Sequence, residues 1–349
     1  MTLAMAAAFS ITGCAAHKAG MPDPIFPEAL QRGDTIAFVA PAGPLDRTRM
    51  ELARQRLEDM GFHVRVPSDL YRTRGYLAGP DETRAAELMA AFADPEVKAI
   101  FPGTGGYGVT RMLDRLDYDV IRRNPKVFIG FSDITGLHLA IQKKTGLVTF
   151  HSPNPMWGLG SDGNLKPFSA DCFWRALLAE RYCAADGEPL PPGYAYELPA
   201  DVAPTKVLAP GVARGRLTGG NLSLVAALMG TPYEIETRGR VLFLEDVGER
   251  PYRIDRYLSQ LRLGGKLDGV AAVILGQFRD CAPKPDEDSL SLDEVIADYF
   301  GGLGVPVITN FPAGHVANNA TLPLGALVEV DADHNRVAVL ENLVRVDCR

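Results

Sequence analysis

Metal-binding signatures are missing from this sequence. Its five cysteines (Cys14, Cys172, Cys183, Cys281, Cys348) form no C-x-x-C pair, and its six histidines form no H-E-x-x-H. Neither a structural nor a catalytic zinc therefore has ligands at the spacing such sites use. No metal and no cofactor is expected. Excess positive charge is missing too, since 36 Lys and Arg against 43 Asp and Glu leave a net charge of −7. That removes the electrostatic footprint of a nucleic-acid or anionic-membrane binder, and a small or peptide-like ligand is expected instead. No apolar run approaches the roughly 20 residues that span a bilayer.

What is present is an ordinary globular composition, 46% hydrophobic and 23% charged over 349 residues, long enough for two α/β units. The N-terminus differs from the rest. Met1 to Gly13 is apolar and rich in small residues, and Ile11-Thr12-Gly13-Cys14 resembles a bacterial lipoprotein processing site without the usual basic leader. Residues 1–25 are read as a tail or lipoprotein-type signal. Processing would put a lipid anchor on Cys14 and the protein in the periplasm or on a membrane; an unprocessed chain would be cytoplasmic. The pairing of the other cysteines is left open.

From Phe26 the chain alternates. Asp34 to Val39, Phe62 to Val66, Val97 to Phe101 and Val127 to Ile129 read as strands, with helices over Thr48 to Met60 and Pro80 to Phe92. Repeated βα alternation predicts a doubly wound N-terminal domain (26–152) with a mainly parallel sheet, which binds ligands beyond the carboxyl ends of its strands. Residues 153–204, rich in Pro and Gly with one helix near Phe168 to Glu180, read as a connection. Residues 205–349 carry further short apolar runs and predict a mixed α/β C-terminal domain rich in strands. His63 reads as a core histidine.

Several stretches could carry chemistry. In Gly130-Phe131-Ser132-Asp133 an apolar strand turns into a helix at Ser132. A serine there is either a nucleophile facing free helix N–H groups or, with Asp133, a helix cap. Gly103-Thr104-Gly105-Gly106-Tyr107-Gly108 contains G-x-G-x-x-G but does not follow the first strand, so it reads as a dinucleotide turn, a plain glycine turn, or backbone donors facing Ser132. Glu245 and Asp246 end an apolar run, and Arg250, Arg253, Asp255 and Arg256 follow, so ion pairing competes with catalysis for Asp246 and Glu249. His315 lies in a loop after the run Val305 to Ile308. Asn221, after Gly219 and Gly220, caps a helix or contacts a ligand.

Taken together, GDTIAFVAPAGP from Gly33, GGYG at Gly105, GFSD at Gly130, GGNL at Gly219, FLED at Phe243, YRIDRYLSQL at Tyr252, and GH at Gly314 followed by TLPLG resemble the LD-carboxypeptidases, the muramoyltetrapeptide carboxypeptidases of the serine peptidases. The resemblance implies a triad of Ser132, Glu245 and His315, an oxyanion hole from the backbone N–H groups of Gly106 and Asp133, and a murein peptide as substrate. Asn221 and Arg253 are carried along as substrate-binding candidates. Thr104 departs from the arginine often found before GGYG. With nucleophile and base on different domains, closure or a homodimer is expected to assemble the site. The microcin C self-immunity hydrolases are a related alternative.

Overall fold

The computed structural model describes residues 21–348. Cys14 and its lipoprotein-type context lie outside them. The N-terminal half runs β1 (Thr35–Val39), α1 (Arg47–Asp59), β2 (His63–Arg65), α2 (Asp81–Ala93), β3 (Val97–Pro102), α3 (Tyr118–Arg123), β4 (Val127–Gly130), α4 (Thr135–Thr145) and β5 (Thr149–His151). All pairings among these five strands are parallel, in the order β5-β4-β3-β1-β2. The order reverses at β1 and β3, and a crevice opens at such a reversal beyond the carboxyl ends. β4 is buried throughout and β3 at every residue but Lys98, because helices cover both faces. At the edge, β2 exposes His63 and Arg65 and half-buries Val64, so His63 is exposed rather than in the core. Among the described residues, the buried histidines are His138 and His151.

Next come α5 (Pro167–Leu177), β6 (Tyr194–Ala195), β7 (Lys206–Ala209), β8 (Val212–Asn221), α6 (Leu222–Ala227), β9 (Arg240–Val247), α7 (Pro251–Leu263), β10 (Ala272–Arg279), α8 (Leu292–Phe300), β11 (Val307–Thr309), β12 (Leu322–Leu324), β13 (Leu327–Asp331) and β14 (Arg336–Val339). They build a second sheet of eight strands ordered β6-β14-β13-β8-β9-β10-β11-β7, parallel from β8 to β11 and antiparallel outside. The chain is therefore a two-sheet α/β protein. Residues 153–204 do more than connect, since α5 buries Phe168, Phe173 and Leu177 and β6 edges the second sheet.

The two halves are joined at several places. β12 pairs antiparallel with β5, so the C-terminal half lends a strand to the first sheet. Gln142 on α4 accepts from Thr218 Oγ1 at 3.0 Å and donates to Leu217 O at 3.0 Å, and Asn221 N–H donates to Thr135 Oγ1 at 3.0 Å. All are buried, so losing one partner costs about 1–3 kcal/mol for the polar group left behind. A disulfide between Cys183 and Cys348 ties the 153–204 segment to the C-terminus, while Cys172 and Cys281 are free and buried.

Candidate active site

Three turns meet beyond the carboxyl ends of β1, β3 and β4. Ser132 starts the single 3₁₀ turn Ser132–Ile134 that leads into α4, with φ at +63°. An L-residue reaches that region only under local constraint, as a strained strand-to-helix elbow imposes. Neither Ser132 nor Asp133 caps α4 through its side chain. Asp133 instead points away, accepting Val109 N–H at 2.9 Å, and burial pushes its carboxyl above the ordinary range.

The glycine turn after β3 closes over this elbow. A β-carbon on Gly105 would sit 3.0 Å from Ser132 Oγ and 3.1 Å from Asp133 N, so the glycine backbone lies directly against the serine. Gly106 follows at φ +104°, where an L side chain is disfavoured. The turn after β1 braces the other side, with Gly43 N–H donating to Gly105 O at 2.9 Å. Arg84, wholly buried on α2, donates to Pro41 O and, at 3.0 Å, to Gly108 O, and pairs with Asp81 at 2.5 Å. One buried guanidinium thus pins both glycine-bearing turns. This resolves the glycine motif in geometric terms: its turn faces Ser132.

On the C-terminal side, Glu245 is fully buried near the end of β9. Its Oε2 lies 2.8 Å from His315 Nδ1. That contact makes Nδ1–H the donor and leaves Nε2 to exchange a proton with a substrate or nucleophile, a tautomer assigned from the bonding pattern. Glu245 Oε1 meets no protein donor. Space for the carboxylate exists because Gly314 has no side chain, for a β-carbon there would lie 2.6 Å from Glu245 Oε2, at a φ of +121°. His315 comes to the side of Ser132 through Phe131, the residue before it, whose ring centroid is 4.8 Å from the imidazole.

The other sequence candidates are each held by their own neighbours. Asn221 caps α6 by accepting Leu224 N–H at 3.3 Å, and its Nδ2 donates to Asp246 Oδ1 at 3.0 Å. Asp246 also accepts from Ser223 and Val247 N–H. Burial pushes its carboxyl up to about 6 against those hydrogen bonds. Asp246 therefore orients Asn221 rather than pairing with an arginine. Arg253 is exposed and holds Glu249 at 3.3 Å, the ion pair the sequence left open. Among the described residues no three His, Cys, Asp or Glu side chains gather to hold a metal ion.

Sequence reasoning missed Arg84 and His151. A buried arginine has no local sequence signal, because arginines are ordinarily exposed. His151, at the end of β5 opposite Gly130, is fully buried with neither ring nitrogen hydrogen-bonded to protein. Its ring stands edge-on to Phe243 (4.9 Å) and to Phe131 (6.2 Å), the ring that also meets His315. Burial holds it neutral, far below the usual imidazole range.

Comparison with known proteins adds the family context. Residues 36–152 match the LD-carboxypeptidase N-terminal domain and residues 214–330 the LD-carboxypeptidase C-terminal domain. The chain is 40% identical over 315 residues to a probable murein peptide carboxypeptidase of Bacillus subtilis, covering 90% of this chain and 94% of that one. It is 33% identical to the murein tetrapeptide carboxypeptidase of Pseudomonas aeruginosa, covering 86% and 94%. Among solved structures it resembles the microcin C7 self-immunity protein MccF in complex with glutamyl sulfamoyl guanosine, with a TM-score of 0.81 and 28% identity over 92% of this chain and 100% of that one. It also resembles the muramoyltetrapeptide carboxypeptidase of Oxalobacter formigenes, with a TM-score of 0.74 and 27% identity over 87% and 97%.

Proposed function

The chain belongs to the LD-carboxypeptidase family, and from that premise we propose that it is a serine carboxypeptidase that hydrolyses the L,D bond before the terminal D-alanine of murein tetrapeptides. The observation that carries the reading is a Glu–His pair at 2.8 Å delivered beside a serine elbow by packing of His315 on Phe131. In this reading His315 Nε2 takes the Ser132 hydroxyl proton as Oγ attacks the scissile carbonyl. Glu245 holds the imidazole in the required tautomer and stabilises the imidazolium. The N–H groups of Gly106 and Asp133 receive the oxyanion. His315 returns the proton to the departing D-alanine amine, leaving an acyl ester on Ser132. Water, deprotonated by the same imidazole, cleaves that ester and restores the serine.

The demand for a D-configured terminus follows from geometry. The carbonyl must sit at Ser132 while the carboxylate of the terminal alanine is anchored elsewhere, and an L-alanine terminus would aim methyl and carboxylate wrongly. Comparing tetrapeptides ending in D- and L-alanine tests this: only the D form should release alanine, and equal rates would overturn the assignment. A second reading, hydrolysis of a peptidyl or aminoacyl nucleotide, is favoured by the resemblance to MccF bound to glutamyl sulfamoyl guanosine. A higher kcat/KM for such a conjugate than for the tetrapeptide would select it.

A further inference from the structure

The glycine turn that faces Ser132 continues outward into a feature that the hydrolytic chemistry leaves unused. Trp157 is 56% exposed, yet it is held firmly. Its indole N–H donates to Thr104 Oγ1 at 3.0 Å and its backbone N–H to Asn154 Oδ1 at 3.0 Å. Met156 N–H donates to Gly103 O at 3.0 Å, fastening the Trp157 loop to the same turn. Thr104 is buried and directly precedes Gly105, the residue packed on Ser132. The indole is therefore joined to the nucleophile's surroundings through one threonine.

Over the indole lies Arg49, its guanidinium carbon 4.3 Å from the ring centroid. Elsewhere on α1, Arg54 pairs with Glu51 and Glu58. Arg49 gives its backbone N–H to the Asp46 cap, but its guanidinium has no carboxylate partner among the described residues. Stacking engages only the face of a guanidinium, and the N–H donors in its plane stay available as a planar fork suited to a carboxylate. An unpaired, oriented cation linked through Trp157 and Thr104 to the turn that packs on Ser132 is placed to read negative charge on a bound substrate.

We propose that Arg49, held flat by Trp157, binds a carboxylate of the peptide substrate and makes its charge a determinant of specificity. The inference rests on the murein-peptide reading above. Such a peptide offers three sources: the terminal D-alanine carboxylate, a side-chain carboxylate on the third residue, and the free α-carboxylate of its γ-linked glutamate. The ligand chemistry is the same for all three, and substrates neutralised one group at a time distinguish them.

The experiment measures kcat/KM for the full-length protein on a tetrapeptide with all three carboxylates and on three analogues: the C-terminal amide, the lysine-containing peptide and the glutamate α-amide. Wild type, Arg49→Gln, Arg49→Lys and Arg47→Gln are compared. Arg47 is a control two residues away that lies over Tyr71 instead. Wild type should lose roughly 10- to 100-fold on one analogue. Arg49→Gln should lose that much on the parent peptide and show no further loss on that analogue. Arg49→Lys should fall between, having charge without the planar fork, and Arg47→Gln should match wild type. If Arg49→Gln discriminates all four peptides as wild type does, the subsite is wrong while the carboxypeptidase reading stands. If wild type cleaves no tetrapeptide, that reading fails and the subsite with it.

Discussion

Gly105 and Ser132 lie so close that a β-carbon on the glycine would come within 3.0 Å of the serine Oγ and 2.8 Å of its Cβ. The glycine turn and the serine elbow come from different strands, β3 and β4, whose parallel pairing sets them side by side. The site thus depends on backbone approaching a side chain, which only glycine permits.

Gly105→Ala should therefore displace Ser132 or the turn. The expected result is a folded protein, by circular dichroism and thermal melting, whose kcat falls on the order of 100-fold with little change in KM, as when an oxyanion donor is lost. Unchanged kcat would remove this turn from the site.

Gly314→Ala tests the other half. A methyl group there would press on Glu245 Oε2 at 2.6 Å, and φ is +121°, so the carboxylate must move off His315. Activity should drop about as far as in Glu245→Ala, and combining the two changes should cost little more, since both break one unit. Additive losses would show that Gly314 acts by another route.

Stability should carry an acid limb from His138. Its Nε2–H donates to Gly130 O and its Nδ1 accepts from Thr149, both at 2.9 Å, and burial pushes the imidazole down to about 4. An unfolded histidine protonates near 6.5, so between about 4 and 6.5 the unfolded chain binds more protons than the folded one. The histidine's contribution is complete above 6.5 and is lost as pH falls toward 4, by up to about 3 kcal/mol. His138→Gln, which can keep both hydrogen bonds, should show a shallower fall in Tm from pH 7 to pH 5; parallel curves would contradict the assignment.

The Cys183–Cys348 bridge spans 165 residues of chain. Cys183→Ser with Cys348→Ser should destabilise by roughly 2–5 kcal/mol, read from chemical denaturation. An unchanged midpoint would mean that the bridge constrains little in the unfolded chain.

Much of this architecture was legible in the sequence because short apolar runs alternated with helical spacing. β1, β3 and β4, and α1 and α2, fall within a few residues of where those patterns put them. β8 was not legible. Its Gly215, Gly219 and Gly220 break the apolar alternation that marks a strand, and they are glycines because neighbouring backbone and Thr135 fill the space of a side chain. The lending of β12 to the first sheet was equally hidden, since a three-residue strand gains its identity only from its partner. At the site, serine, histidine and glutamate stood out in strand-end contexts, and their meaning came from the ordered resemblance. Arg84 and His151 could be found only in three dimensions, where burial gives them their roles.

The most direct test of the account is intact-mass spectrometry of the enzyme mixed with a murein tetrapeptide ending in D-alanine. Wild type should release D-alanine and, on rapid acid quench, carry a tripeptidyl ester that peptide mapping places on Ser132. Ser132→Ala should form neither product at a rate above about one part in 10⁴ of wild type. Substantial D-alanine release by folded Ser132→Ala, or an acyl group on any other residue, would contradict the central claim.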